Sequence, residues 1–328
     1  MSDKRIGVRQ ARMQQRGAAL LLALVVVSVV STLAAGMVWQ QWRSVQAEEA
    51  DRARSQSQWI LQGAVDWARL ILREDQRGSQ IDHPGEPWAV PLQEARLSSF
   101  LAAGRDIPDD NPALQAFLSG EIQDAQARFN VRNLALEGPQ GQAAERALRR
   151  LCQTLGVSDT AAQQLIAGAQ RSWVSSKATG ESRTRQQAAL LSPQRVTELI
   201  WWGVEPAVIE QLRPFLVVLP RATALNLNTA RAEVIAAWID GVDLSLAERL
   251  VTARARAPLT SVDQGLSLLQ VKAEVAANSS LSVQSSFFEV QGRLRLGPRV
   301  FEDRVLVERR QAEVVVLQHE RAIERARM

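Results

Sequence analysis

Cysteine, histidine and tyrosine are nearly missing from this chain of 328 residues: it has one Cys (Cys152), two His (His83 and His319) and no Tyr. A single cysteine excludes a disulfide framework and a cysteine-based zinc module. Two histidines leave little material for imidazole-dependent catalysis. No Ser-His-Asp arrangement, Gly-rich phosphate loop or metal-ligand pair is visible, so the sequence reads as a non-enzyme. Excess charge is scarce as well, because 39 Lys and Arg face 35 Asp and Glu, a net of +4. Residues 1–17 carry Lys4, Arg5, Arg9, Arg12 and Arg16 against Asp3 alone, a balance that equals the whole +4. Residues 18–328 are therefore neutral, without the electrostatic footprint of a nucleic-acid-binding protein. What is present is ordinary globular material, 46% apolar, with nine Trp and enough length for a sizeable core.

The long apolar run stands next to the charge. No charged residue occurs from Gly17 to Trp42, and Ala18–Trp39 reads AALLLALVVVSVVSTLAAGMVW. As a helix this run is long enough for a hydrocarbon core of about 30 Å. Its basic flank keeps the N-terminus cytoplasmic, and Trp39 and Trp42 fall where interfacial anchors sit. Three readings compete. A secretory signal peptide fits the basic flank, with Thr32-Leu33-Ala34-Ala35 as a small-residue cleavage site. A plain membrane anchor fits the apolar run. The junction Arg16-Gly17, followed at once by Ala18-Ala19-Leu20-Leu21-Leu22, resembles the prepilin-type leader, which a dedicated peptidase cuts after the Gly. The continuation favours this third reading. From Gln40 to Arg77 there is no Pro and one interior Gly, Gly63. Val38, Trp42, Val45, Trp59/Ile60, Ala64, Trp67 and Ile71 recur at helical steps, predicting an amphipathic helix that grows out of the membrane span.

Beyond it, Asp75–Pro91 reads as loop, Glu94–Ala103 as a short helix, and Ile122–Leu134 as a strand followed by a turn. A helical block is expected at about 143–155, 159–173, 193–202, 205–217, 229–239, 243–256 and 261–269. Its start signals are Asp159, Ser192-Pro193, Asn228-Thr229 and a capping box of Ser261 with Gln264. Ser175–Arg185 reads as a mobile loop. At the C-terminus, Phe288, Val290, Gly292, Leu294 and Leu296 alternate with polar residues, the period of a half-buried strand. Gly297-Pro298 turns the chain, Phe301, Val305 and Val307 continue on a second strand, and Val314–Leu317 starts a third.

The helical block contains a repeat. Gly203-Val204-Glu205 precedes Glu210-Gln211-Leu212, and Gly241-Val242-Asp243 precedes Glu248-Arg249-Leu250 at a constant offset. Gly156-Val157-Ser158 makes a third copy. Each predicts helix, Gly-centred hairpin, helix. Leu225-Asn-Leu-Asn-Thr-Ala230 resembles the opening of DNA-binding helix-hairpin-helix modules. Those modules hold phosphate on the backbone of a Gly-apolar-Gly hairpin. Here the second Gly position is Ser158, Glu205 or Asp243. Residues 229–256 also pair Arg231, Arg249, Arg254 and Arg256 against Glu233, Asp240, Asp243 and Glu248. No nucleic acid is expected as a partner, and the alternative of a membrane-tethered, exported DNA-binding protein stands second.

Taken together, Arg16-Gly17-Ala18-Ala19-Leu20, Asp124-Ala-Gln-Ala-Arg128-Phe-Asn130-Val-Arg-Asn133-Leu134 and Asn226-Leu-Asn228-Thr229-Ala230 give a chain that resembles the type II secretion minor pseudopilin K family over essentially its whole length. The resemblance implies an α+β fold: a pilin-like long N-terminal helix packed on a small antiparallel sheet, with a large all-α domain inserted. It divides the chain into a leader (1–17), a membrane half-helix (18–42), a first pseudopilin part (43–134), a helical insertion (135–284) and C-terminal strands (285–328). It implies cleavage between Gly17 and Ala18, N-methylation of Ala18, and residence in the inner membrane with a periplasmic globular part. Implied partners are minor pseudopilins I, J and H, major pseudopilin G, the prepilin peptidase, the inner-membrane assembly platform and secreted substrates. Most pilin-like proteins carry Glu at the fifth mature position, where it neutralises a neighbour's terminal amine. Here that position is Leu22, which fits a subunit with nothing above it.

The remaining candidates are weaker. Asp106, Asp109 and Asp110, with Asn111, offer oxygen ligands for Ca²⁺. They do not match an EF-hand, and the calcium sites the resemblance implies lean on disulfide-braced loops, so a solvated acidic turn competes. Arg128, Asn130 and Asn133, and with them Asn226 and Asn228, are expected to satisfy backbone groups at a domain junction. Cys152, beside Leu148 and Leu151, reads as core. His83 reads as a loop residue, and His319 as lying near a polar C-terminal tail.

Overall fold

The structure is a computed structural model that describes residues 6–97, 116–174, 191–272, 280–297, 299–311 and 313–325. By internal contacts the chain divides into residues 1–59 and residues 60–328. One helix, α1 (Ile6–Gly78), carries the described N-terminal sequence. It begins upstream of the expected start because Ile6–Arg16 is free of Pro and rich in strong helix formers. Residues 19–45 of α1 are exposed along their whole length, including Leu20, Leu21, Leu22, Val25 and Met37.

In the second unit α1 buries Leu61, Val65, Ala68 and Leu72 at steps of four, three and four. These lie one residue out of phase with the expected stripe, and Trp67 is 56% exposed. A one-residue offset rotates a helix face by about 100°. Ile60, Ala64 and Ile71 are left at the flank of the contact, while Val65, Ala68 and Leu72 pack with Trp88, Phe288, Val290, Val305, Val307 and Val314.

Five antiparallel strands form the sheet: β1 (Leu92–Arg96), β2 (Phe117–Asp124), β7 (Phe287–Leu296), β8 (Arg299–Arg310) and β9 (Glu313–Arg325), in the order β1-β2-β7-β8-β9. β2 and β7 are hydrogen-bonded neighbours from Phe117↔Arg295 to Asp124↔Phe288, although residues 125–286 separate them in sequence. Gly120 makes this pairing possible, since a Cβ there would lie 2.7 Å from the Gln291 carbonyl oxygen. One expectation is corrected. Leu92–Arg96 is a strand, not the start of a 94–103 helix, because it pairs with β2 as a sheet edge. His319 lies within β9, and its Nε2 is 2.8 Å from Asp303 Oδ2.

The intervening segment is helical: α2 (Gly138–Thr154), α3 (Asp159–Ala169) with a π turn (Gln170–Val174), a 3-10 helix (Val196–Trp202), α4 (Pro206–Leu212), α5 (Ala232–Trp238), α6 (Leu244–Arg256) and α7 (Val262–Leu268). The expected 205–217 helix ends at Leu212, because β4 (Leu216–Val217) pairs in parallel with β3 (Phe129–Asn130). A second parallel pair joins β5 (Leu225–Asn226) to β6 (Leu281–Ser282). The block has its own core, built on Leu148, Leu151, Cys152, Leu165, Trp202 and Val234. Burial pushes the Cys152 thiol up to about 11, consistent with an inert core residue.

The repeat has a physical meaning. Gly156, Gly203 and Gly241 have φ of +69°, +85° and +81°, a conformation that favours glycine. At Gly156 the Val157 N–H donates to the Cys152 carbonyl at 2.8 Å and the Gly156 N–H to that of Gln153, a Schellman termination of α2. The following Val157, Val204 and Val242 are all buried. Helix packing between the copies is close at Gly168, where a Cβ would lie 2.3 Å from the Trp202 ring. Trp202 also packs edge-on against Trp173 at 5.2 Å and donates to Ser172 Oγ. Gly168→Ala should therefore lower stability by about 1–3 kcal/mol through over-packing, measurable as a drop in thermal midpoint.

Candidate functional site

Ser158, Glu205 and Asp243, the third residues of the three copies, are the N-caps of α3, α4 and α6. The Ser158 side chain accepts from the Ala161 N–H and Asp243 Oδ1 from the Leu246 N–H at 2.8 Å. The backbone donors that would hold a phosphate are thus occupied by the chain's own oxygens at two hairpins, and a carboxylate stands at the third. Arg254 is consumed internally, its guanidinium donating to the Leu227 and Ala230 carbonyls. Burial lowers its pKa to about 10. Arg231 lies over the Phe215 ring at 5.5 Å. The geometry gives a packing unit and no phosphate cradle at these hairpins.

The asparagines of the two sequence motifs are buried and fully bonded. Asn130 Nδ2 donates to the Arg221 carbonyl (2.8 Å) and Thr223 Oγ1 (3.0 Å), while its Oδ1 accepts from the Arg132 and Leu219 N–H groups. Asn133 exchanges a pair of bonds with the Thr223 backbone, and Asn228 does the same with Leu259. Asn228 therefore ties two loops together instead of starting α5, whose N-cap is Arg231. Asn226 Nδ2 contacts the Asp82 carbonyl (3.1 Å), Asp124 Oδ2 (2.9 Å) and Ser285 Oγ (3.0 Å), and its Oδ1 accepts from the Asn228 N–H. Arg128 pairs with Glu289 of β7 at 2.8 Å.

These bonds run into a buried cluster that sequence reasoning missed. Asp124 accepts from Asn226, Thr229, Ser285 and the Gln126 N–H. Burial pushes its carboxyl above the usual range. Next to it, Arg309 of β8 donates to Asp75 (3.0 Å), to both oxygens of Asp82 (2.6 Å) and to the Ser285 carbonyl (2.8 Å). Glu86 accepts from Trp88 Nε1 (2.8 Å) and the His83 N–H (3.0 Å). Carboxylate oxygens of Asp75, Asp82 and Glu86 lie within 4.8 Å of one another, a spacing open to a hard cation. Arg309 already binds two of the three, so the residues fit an internal ion-pair cluster and not a divalent metal. No local pattern marks these positions, which are scattered from residue 75 to residue 309. Asp106, Asp109 and Asp110 lie outside the described residues.

Burial first, then the Glu86 and Asp82 charges, push the Asp75 carboxyl up to about 6, with Arg309 pulling the other way. A folded pKa above the unfolded value means that the folded state binds the extra proton. This contribution to stability is complete below about pH 4 and is lost as pH rises through about 6. Asp82 and Asp124 shift in the same direction, also chiefly by burial. Asp75→Asn should flatten the fall in thermal midpoint across that window, as read from melting curves at stepped pH.

At the N-terminus the basic flank, Gly17-Ala18 and the apolar span share one helical backbone. The apolar window has a mean hydropathy of 2.5 and none of it is buried, and Leu22 is 68% exposed. Trp39 and Trp42 pack on each other at 5.7 Å.

A long helix with an apolar, unburied N-terminal half and an amphipathic half against an antiparallel sheet defines a pilin-like protein, here elaborated with a helical block. Residues 127–221 and 225–284 both match the family described as Type II secretion system (T2SS), protein K. Over these two stretches the chain is similar to the type II secretion system protein K family. It is 28% identical over 306 residues to Type II secretion system protein K of Pseudomonas aeruginosa, covering 88% of this chain and 87% of that protein. To the protein of that name from Pectobacterium carotovorum subsp. carotovorum it is 26% identical over 336 residues, covering 94% and 97%. A chain in the crystal structure of the GspK-GspI-GspJ complex from enterotoxigenic Escherichia coli superposes with a TM-score of 0.63 at 20% identity, covering 84% of this chain and 98% of that one. That likeness shows the fold.

Proposed function

We propose that this chain is a minor pseudopilin that sits at the tip of the pseudopilus, seeds its assembly and limits its length during export of folded proteins. The observation that carries this reading is the apolar span with Leu22 at the fifth position after Gly17. A subunit without a carboxylate there cannot neutralise a terminal amine inside apolar surroundings, where an unpaired charge is costly. The omission is harmless only where no such pairing is required, as at the end of a filament. In this reading residues 1–17 are removed by the prepilin peptidase, Ala18 is N-methylated, and residues 18–42 hold the protein in the inner membrane with residues 43–328 periplasmic. The mechanism is association: membrane helices of minor pseudopilins pack side by side, and the bulk of the 135–284 helical insertion blocks further growth.

Pseudopilins I and J are the partners favoured by the complex in which the structural relative was solved; H, G, the assembly platform and secreted substrates follow from the resemblance alone. Co-expression with minor pseudopilins I and J, followed by detergent extraction and size-exclusion chromatography, tests this. A co-eluting ternary complex is expected. A chain that elutes alone while I and J remain paired contradicts it.

A further inference from the structure

The segment between α1 and β1, residues 79–91, carries Pro84, Gly85, Pro87 and Pro91 and is too rich in turn formers for a long helix or strand. Three of its residues are buried: Asp82, Glu86 and Trp88. Two of the three side chains that hold this loop in place are therefore carboxylates. The Asp82 N–H donates to the Val283 carbonyl at 2.8 Å, and its carboxylate accepts from Arg309 at 2.6 Å and from the Ser285 N–H at 2.7 Å. Glu86 accepts from Trp88 Nε1, and the Trp88 ring packs edge-on against Phe288 at 5.2 Å.

Charge faces these two carboxylates from every element around them. Asp75 lies on α1, Asp124 at the end of β2 and Arg309 on β8, while His83, on the loop itself, has its Nε2 3.9 Å from Glu86. Oxygens of Asp75, Asp82 and Glu86 lie within 4.8 Å of one another, and Ser285 bridges Asp82 to Asp124. Four carboxylates against one guanidinium leave three negative charges in excess when all are ionised. Like charges this close in a buried site favour retention of a proton by the group as a whole. Leu72 of α1 and Val305 and Val307 of β8 share one core, so neither element can move to relieve the repulsion. The loop that carries Asp82 and Glu86 can.

We propose that Asp75, Asp82 and Glu86 form a proton-sensitive latch, which holds the 79–91 loop closed at acidic pH and releases it as pH rises. Trp88 and Val90 of this loop wall an apolar cavity of about 240 Å³ whose other side is Trp67 and Ile71 of α1 and Ile122 of β2. Release of the loop opens that cavity, so pH sets the shape of an apolar surface. Burial in the closed loop holds the Asp75 carboxyl at about 6, against the usual 3.8, and opening exposes it to water. The closed form thus binds the extra proton, and opening is favoured about tenfold between about pH 5 and about pH 8. This inference does not depend on the pseudopilin reading.

Hydrogen exchange of the full chain in detergent, read by mass spectrometry, tests the latch. Protection of a peptide spanning residues 79–90, corrected for the intrinsic exchange rate, should fall about tenfold between about pH 5 and about pH 8. Peptides from α2 and α6 should keep their protection. Asp75→Asn should make the loop's protection independent of pH. If that variant fails to fold, Glu86→Gln decides: glutamine still accepts from Trp88 Nε1 but carries no charge, and it should blunt the fall. His83→Gln should leave the fall unchanged. Constant protection of the loop overturns the proposal, as does a parallel fall in α2 and α6, which would mark global unfolding. A fall that survives in the folded carboxylate variant, or that disappears in His83→Gln, also overturns it.

Discussion

Replacing Arg309 with leucine is expected to destabilise the sheet-bearing unit by about 3–5 kcal/mol, because it strands buried carboxylates without their cation. The guanidinium touches Asp75 and Asp82, donates to the Ser285 carbonyl, and lies 4.8 Å from the Phe288 ring centroid. Leucine fills part of the volume but leaves Asp82, which is 1% exposed, facing Asp75 and Glu86. The charge can then be relieved only by protonation. The loss in thermal midpoint should therefore be large at about pH 8 and shrink toward about pH 4. A loss of equal size at both pH values would show that Arg309 acts through packing and not through charge. In a double-mutant cycle with Asp75→Asn, the two changes should be strongly non-additive.

Asn226→Ala should lower the thermal midpoint by roughly 5–15 °C, the equivalent of about 2–4 kcal/mol. Asn226 is fully buried and bonds at once to Asp82, Asp124, Ser285 and Asn228. It links the end of β2, the loop after α1, the β5 strand and the entry to β7. Alanine leaves the Asp124 carboxylate with Thr229, Ser285 and the Gln126 N–H but one donor short, and leaves the Asn228 N–H without an acceptor. Asn226→Asp should be worse at neutral pH, since it sets a second carboxylate against Asp124, and should recover on acidification. An Asn226→Ala protein that melts within about 1 °C of the parent would contradict a structural role for the motif.

How much of this was legible in the sequence differs from element to element. The apolar span and the helix beyond it were plain because charge and period need no tertiary context. The buried face was misread by one residue, because Trp59 and Trp67 mimic a core stripe while Leu61, Val65, Ala68 and Leu72 form it. The Gly-Val-Ser/Glu/Asp copies were readable because each does the same local work: a left-handed Gly, a buried Val and a helix cap. β1 was not, since a short edge strand is fixed by its pairing with β2 and not by its own alternation. Asn130, Asn133, Asn226 and Asn228 could be picked out by motif, but not the partners they bond, which come from segments far away in sequence. Asp75, Asp82, Glu86 and Arg309 could not, because the fold alone brings β8 against the end of α1.

The mature N-terminus tests the central reading most directly. Intact-mass and N-terminal peptide mass spectrometry of the chain recovered from membranes of a bacterium with a type II secretion system should show a protein that begins at Ala18 and carries one added methyl group. Cleavage near Ala35 would make it a signal-peptide-bearing periplasmic protein, and a retained Met1 a plain membrane anchor; either result contradicts the pseudopilin account.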